Sequence, residues 1–281
     1  MSRKRKAYFQ IVSEMQTEDR ISEAKICIKK LTYSVGEVLE MHESNQIVVY
    51  SDILSSQIPS SFAGHSFKHF QAAMHRYEIV RLLALWDRAE ENVYSIPKAV
   101  MLIDDKEVQE ALKKLVYETH ANATAFRVSQ REYSDEDKAE FDKIIKDTQI
   151  ERGIEQAGKT ELGLIGTIKE VEKTIASDKL ESIRNVRDHI SHSLEKTRRE
   201  ISVDIVPMKF GDEKSLLTDT IKYIEDLYCF VNGTSFSIED EGRENAKQNA
   251  EELWKNCKFS IPDYIGDRKK ITHTQSSDCK A

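Results

Sequence analysis

Residues 179–199 read Lys-Leu-Glu-Ser-Ile-Arg-Asn-Val-Arg-Asp-His-Ile-Ser-His-Ser-Leu-Glu-Lys-Thr-Arg-Arg. The stretch gathers cations, imidazoles and an orienting carboxylate within a few helical turns. Arg187 is followed by Asp188 and, at the fifth residue, by His192; Arg184, Asn185 and His189 give the same pattern three residues earlier. On an ideal helix a five-residue separation puts Arg187 and His192 about 140° apart, so spacing alone does not place them on one face. Asp188 and His192, four apart, do share a face, and the carboxylate can hold the imidazole in one tautomer. A site using Arg187 with His192 therefore needs the arginine to reach around, a local helix break, or a two-fold partner supplying its own copy. The plainer reading is a solvated polar face laced with ion pairs.

The same stretch stands out by charge. The chain carries a formal charge of −7, so its net field does not attract nucleic acid. Residues 184–199 oppose Arg184, Arg187, Lys196, Arg198 and Arg199 to Asp188 and Glu195 only, a cationic island in an acidic protein.

Outward from the island the sequence is helical. Ile21, Ala24, Ile28, Leu31, Val35 and Val38 recur at three and four residues and predict a helix over 18–43. The run 45–54 is read as helix, and 55–64, with Pro59 and its serines, as loop. A second long helix is expected over 65–91, burying Phe67, Phe70, Met74, Tyr77, Val80 and Leu83 to Leu85. Asp87, beside Trp86 and Arg88, serves there as a helix-end ion pair, or reaches the 184–192 site if those helices pack together. Ser95-Ile96-Pro97 signals a helix start for a short helix to Ile103, and Asp104-Asp105 caps another through Tyr117. Residues 127–137 read as a polar loop leading, from Ser134, into a helix through Ile150. Gly158 is expected to interrupt it before a further helix from Leu162 to Arg199. Residues 201–210 read as an extended link, Asp212 as the cap of a helix ended by Asn232-Gly233, and 237–257 as a last amphipathic helix carrying Ala246, Ala250, Leu253 and Trp254.

The resulting expectation is an all-α, up-and-down bundle. Residues 1–17 are an N-terminal extension, 18–257 a single helical domain and 258–281 a polar tail. No run approaches the roughly 18 apolar residues of a membrane helix, and the basic N-terminus does not lead into a signal peptide; a cytosolic (cytoplasmic) protein is expected. The cysteines at 27, 229, 257 and 279 form no Cys-x-x-Cys pair, so neither a zinc site nor a disulfide framework is indicated.

Two further patterns suggest chemistry. Gly153-Ile-Glu-Gln-Ala-Gly158-Lys159-Thr160 matches the phosphate-loop spelling, but charged, helix-like residues precede it where a buried strand is required. His65 and His69 have ligand spacing, with His75 nearby, yet no third ligand or His-Glu-x-x-His accompanies them. No cofactor and no metal is expected.

Leu180 to Ser193, Leu-Glu-Ser-Ile-Arg-Asn-Val-Arg-Asp-His-Ile-Ser-His-Ser, resembles the signature of the HEPN superfamily of helical domains, in particular its abortive-infection (AbiU-type) branch. The motif falls on Arg187, Asp188 and His192, with Ser191 where alanine is common and His189 where lysine is common. The helix ending Leu-Trp-Asp-Arg before Ser95-Ile96-Pro97, and the helix after the motif, fit in order over roughly residues 20–235. The resemblance implies a HEPN-type bundle with extra helices, dimerising with its motifs face to face. Many members are metal-independent endoribonucleases of phage defence or toxin–antitoxin systems, while others have lost the activity. On that basis His192 would be the acid–base group, Arg187 would bind the scissile phosphate and Asp188 would orient His192. Arg184, Asn185, His189, Arg198 and Arg199 would contact RNA. The partners implied are RNA, a second copy of the chain and an antitoxin or regulatory protein. The rival is a non-catalytic module using the same residues as an interface or phosphate-binding groove.

Overall fold

A computed structural model of the chain describes residues 3–123, 134–191, 207–209, 211–234 and 236–261. Among these residues the protein is an all-α, up-and-down bundle without strands. Its helices are α1 (Arg3–Glu14), α2 (Thr17–Val48), α3 (Phe62–Ala84), α4 (Ile96–Ile103), α5 (Lys106–Ala121), α6 (Asp135–Ile175), α7 (Asp178–Ser191), α8 (Asp212–Asn232) and α9 (Glu241–Trp254). None of the described helices is long and apolar enough to cross a membrane.

The axis of the bundle is α2, 32 residues long. Its three-and-four spacing puts Ala24, Cys27, Ile28, Leu31, Val35 and Val38 on one stripe, and all are buried. Helices α3, α4, α5, α8 and α9 pack around it. Of the run 45–54 read as helix, only 45–48 are helical, continuing α2; residues 49–54 form turns and bends, and a 3₁₀ turn at Ser55–Gln57 interrupts the loop that follows. The short α4 is buried almost all round, with Ile96, Ala99, Leu102 and Ile103 inaccessible. Caps mark several helix starts. Ser95 accepts from the Lys98 N–H, and Asp105 accepts from the Glu107 and Val108 N–H groups.

Tyr8 and Val12 of α1 belong to the same core. Tyr8 lies under the buried Lys98, whose Nζ is 5.3 Å from the ring centroid and 2.8 Å from Glu23 Oε1. A second polar contact crosses the core further along α2. His42 Nδ1 and Glu78 Oε1 are 2.6 Å apart, and Asn45 Nδ2 donates to Glu78 Oε2 at 2.6 Å. Beside it, Tyr50 Oη lies 2.8 Å from His75 Nδ1 and donates to Glu213 Oε1 at 3.3 Å.

Several boundaries and faces differ from the sequence reading. Helix α3 stops at Ala84 rather than Glu91, because the Ile96 N–H reaches back to the Leu85 carbonyl at 2.8 Å and closes 85–95 into a loop. Its buried side is Phe67, Glu78, Ile79, Leu82 and Leu83, whereas Phe70 and Tyr77 are 44% and 52% exposed. The face turned inward because His42 and Asn45 can receive Glu78 there, a pairing that periodicity does not register. Gly158 does not interrupt α6, which runs unbroken for 41 residues. An internal glycine costs about 1 kcal/mol without ending a helix. The break comes at Ser177, whose Oγ accepts from the Leu180 N–H and starts α7. The cap of α8 is Gly211, at φ +89°, while Asp212 accepts from the Lys209 N–H instead. Helix α9 is shorter than 237–257, and Leu253 is 60% exposed. The loop read at 127–137 and the link at 201–210 lie largely outside the described residues.

Candidate functional site

The site is assembled where α7 meets the loop that follows α3. Leu180 and Ile183 anchor α7 in the core, and Lys179 Nζ ties its first turn to α8 through Asp219 Oδ2 at 2.7 Å and Ser215 Oγ at 3.0 Å. Trp86 anchors the loop. It is wholly buried, donates from its indole N–H to Thr220 Oγ1 at 2.9 Å, and stands edge-on to Tyr223 with centroids 6.1 Å apart. Both sides are therefore fixed by buried groups, and the polar atoms between them have defined positions.

Arg184 Nη2 donates to the Trp86 carbonyl at 2.9 Å. Arg187 Nη1 donates to Asp87 Oδ1 at 2.7 Å, and its Nη2 lies 3.5 Å from Asp188 Oδ1. Of the two roles open to Asp87, the structure shows the long-range one: it pairs with Arg187, one hundred positions away in sequence. The arginines open onto a polar cleft of about 400 Å³, which Arg88, Glu90 and Glu181 also line. Three arginines face Asp87, Glu90 and Glu181, so the described part of the cleft is balanced in charge rather than uniformly basic. A phosphate group entering it would meet guanidinium N–H groups already oriented, in exchange with a carboxylate for one of them.

Of the residues predicted for the site, Arg184, Arg187 and Asp188 come together on the loop-facing side of α7, half-buried. Asn185 is half-buried beside them and His189 is exposed. His192, Arg198 and Arg199 lie outside the described residues. The sequence reading missed the Trp86 carbonyl and Arg88. The run Leu-Trp-Asp-Arg at 85–88, a buried aromatic beside two charges, was the available signal.

The other patterns resolve differently. Gly153 to Thr160 lies inside α6, where backbone amides are committed to helical bonds, and Lys159 pairs with Glu155 at 2.6 Å. It is not a phosphate loop. His75 meets Tyr50. Among the described residues, no three His, Cys, Asp or Glu side chains are grouped to hold a metal.

No curated protein and no solved structure matches the chain. One protein-family model does: HEPN_AbiU2, described as AbiU2, aligns with residues 37–253. That span runs from the middle of α2 to the end of α9 and includes Asp87, Arg184, Arg187, Asp188 and His192. It covers more than three quarters of the sequence, and the chain belongs to the HEPN AbiU2 family.

Proposed function

We propose that the protein is a metal-independent endoribonuclease of phage defence or of a toxin–antitoxin system, acting as a homodimer. The observation that carries this reading is Arg187, held by Asp87 and Asp188 where it lines a polar cleft, within the span that the family model matches. In the proposed reaction the ribose 2′-oxygen attacks phosphorus and gives up its proton, while the P–O5′ bond breaks and the 5′-oxygen is protonated. His192 moves one of these protons. Arg187 neutralises charge growing on the phosphoryl oxygens, and Asp188 orients His192 from four residues earlier in the sequence. The product carries a 2′,3′-cyclic phosphate. Because Arg187 and His192 point about 140° apart on one ideal helix, a complete site takes its two halves from facing copies.

One feature favours a second reading. Asp87 and Asp188 already compensate the Arg187 charge, as they would in a purely structural contact. RNA cleavage in EDTA separates the two. The wild type is expected to cleave, with His192→Ala slower by about 10²- to 10⁴-fold. Equal cleavage by the two proteins would remove His192 from the mechanism. No cleavage by either would leave the non-catalytic module.

A further inference from the structure

A second cleft, of about 550 Å³, adjoins the first. It lies between α1, α4, the end of α6 and the 85–95 loop, and Arg88 and Arg184 line both clefts. Its volume falls within the few hundred to a thousand Å³ typical of small-ligand sites. Phe9, Met101 and Ile175 supply an apolar wall, and Asp104 and Glu172 supply carboxylates.

Phe9 is the unusual member. The residue is 55% exposed although the helix carrying it is fastened down by Tyr8 and Val12, which are buried on either side of it in sequence. The ring is thus presented at the cleft by an anchored helix. It also precedes residue 37, where the family match begins, so the cleft uses a part of this chain that the match does not cover.

The chemistry of the walls selects an occupant. A simple anion would leave the apolar wall unused and meet two carboxylates. A purely apolar ligand would strip water from two arginines without replacing their hydrogen bonds. A nucleotide unit satisfies all three parts: a flat ring on Phe9, a phosphate on Arg88 and Arg184, and an exocyclic amino group donated to Asp104 or Glu172. We propose that this cleft is a base-binding subsite for single-stranded RNA, set beside the Arg187 cleft and favouring bases that carry an exocyclic amine over uracil. The proposal rests on the nuclease reading for the identity of the strand. The shared arginines make the two clefts consecutive along one backbone.

The test is equilibrium binding of fluorescent hexamers of adenylate and of uridylate to the full chain carrying His192→Ala, with wild-type cleavage measured in parallel. Oligoadenylate is expected to bind more tightly than oligouridylate. Phe9→Ala is expected to weaken oligoadenylate binding about tenfold, and Phe9→Leu, which keeps apolar bulk without the ring, by nearly as much. Asp104→Asn narrows the preference for adenylate. Phe9 is exposed, and unchanged circular dichroism confirms that its variants fold. Unchanged binding by Phe9→Ala, or no preference for adenylate, overturns the subsite even if RNA is cleaved at Arg187 and His192. Weaker binding by Phe9→Ala without cleavage by the wild type supports the subsite and overturns the nuclease reading. No binding of either hexamer overturns the subsite directly.

Discussion

At the scale of single residues, burial governs chemistry in both directions. Cys27 lies on the buried stripe of α2 with no accessible surface, and burial pushes its thiol up to about 11 from the usual 9. The folded chain thus keeps this proton at a pH where the unfolded chain releases it, so this group's contribution to stability is intact below about pH 9 and falls as pH rises to 11. A shift of that size is worth about 2–3 kcal/mol when complete. Urea unfolding of Cys27→Ala between pH 8 and 11 should show a shallower decline than the wild type, whatever the offset between them at pH 8. Tyr8, Tyr50 and Cys229, also raised by burial, and Lys98, raised against the opposing effect of burial by its bond to Glu23, contribute to the slope that remains. Arg187 shows what a local reading can and cannot see. Its neighbour Asp188 and the four-residue step to His192 were legible in the sequence. Its stronger contact, Asp87 at 2.7 Å, depends on where the loop after α3 is folded, and helical periodicity encodes nothing about that.

At the scale of elements, starts and stops were more legible when a side chain made them. Ser95 and Asp105 cap their helices as their types suggest, since their oxygens satisfy N–H groups that a first turn leaves open. Glycine was the less reliable mark. Gly233 ends α8 at φ +69°, but Gly158 sits in the middle of α6. The two roles differ in backbone angle, which the letter does not show. The glycines of α6 also differ among themselves. A Cβ at Gly158 would meet nothing within 4 Å, while one at Gly163 would stand 2.7 Å from Phe230 Cζ, so α6 and α8 approach closely at the latter. Gly158→Ala should therefore raise stability by about 0.5–1 kcal/mol through helix propensity. Gly163→Ala should lower it by about 1–3 kcal/mol through overpacking. Thermal or urea melts of the two variants are expected to shift in opposite directions.

At the scale of the whole molecule, a buried contact fastens α3 to α2, the axis of the bundle. Glu78 is inaccessible and is met by His42 and Asn45, so Glu78→Ala takes the short contact from two buried polar side chains and leaves them the longer ones, His42 with Gln46 at 3.2 Å and Asn45 with the Met74 carbonyl at 3.4 Å. The expected loss is about 3–5 kcal/mol, read as a lower urea midpoint at unchanged slope. Glu78→Gln, which keeps a hydrogen-bonding side chain of the same size, should lose less. Helical spacing along the whole chain predicted an all-α bundle, and α2 buries the residues its spacing selects. It was not enough to orient α3, because a charged residue faces inward there. Trp86 has a different consequence. The chain contains two tryptophans, and the other, Trp254, is partly accessible on α9. An indole sealed from water emits at shorter wavelength than a hydrated one, so Trp86 contributes the blue edge of the intrinsic fluorescence. Its carbonyl holds Arg184 and its neighbour Asp87 holds Arg187. The protein thus carries its own optical gauge of the arginine cleft, and in a Trp254→Phe background that gauge reports without a label.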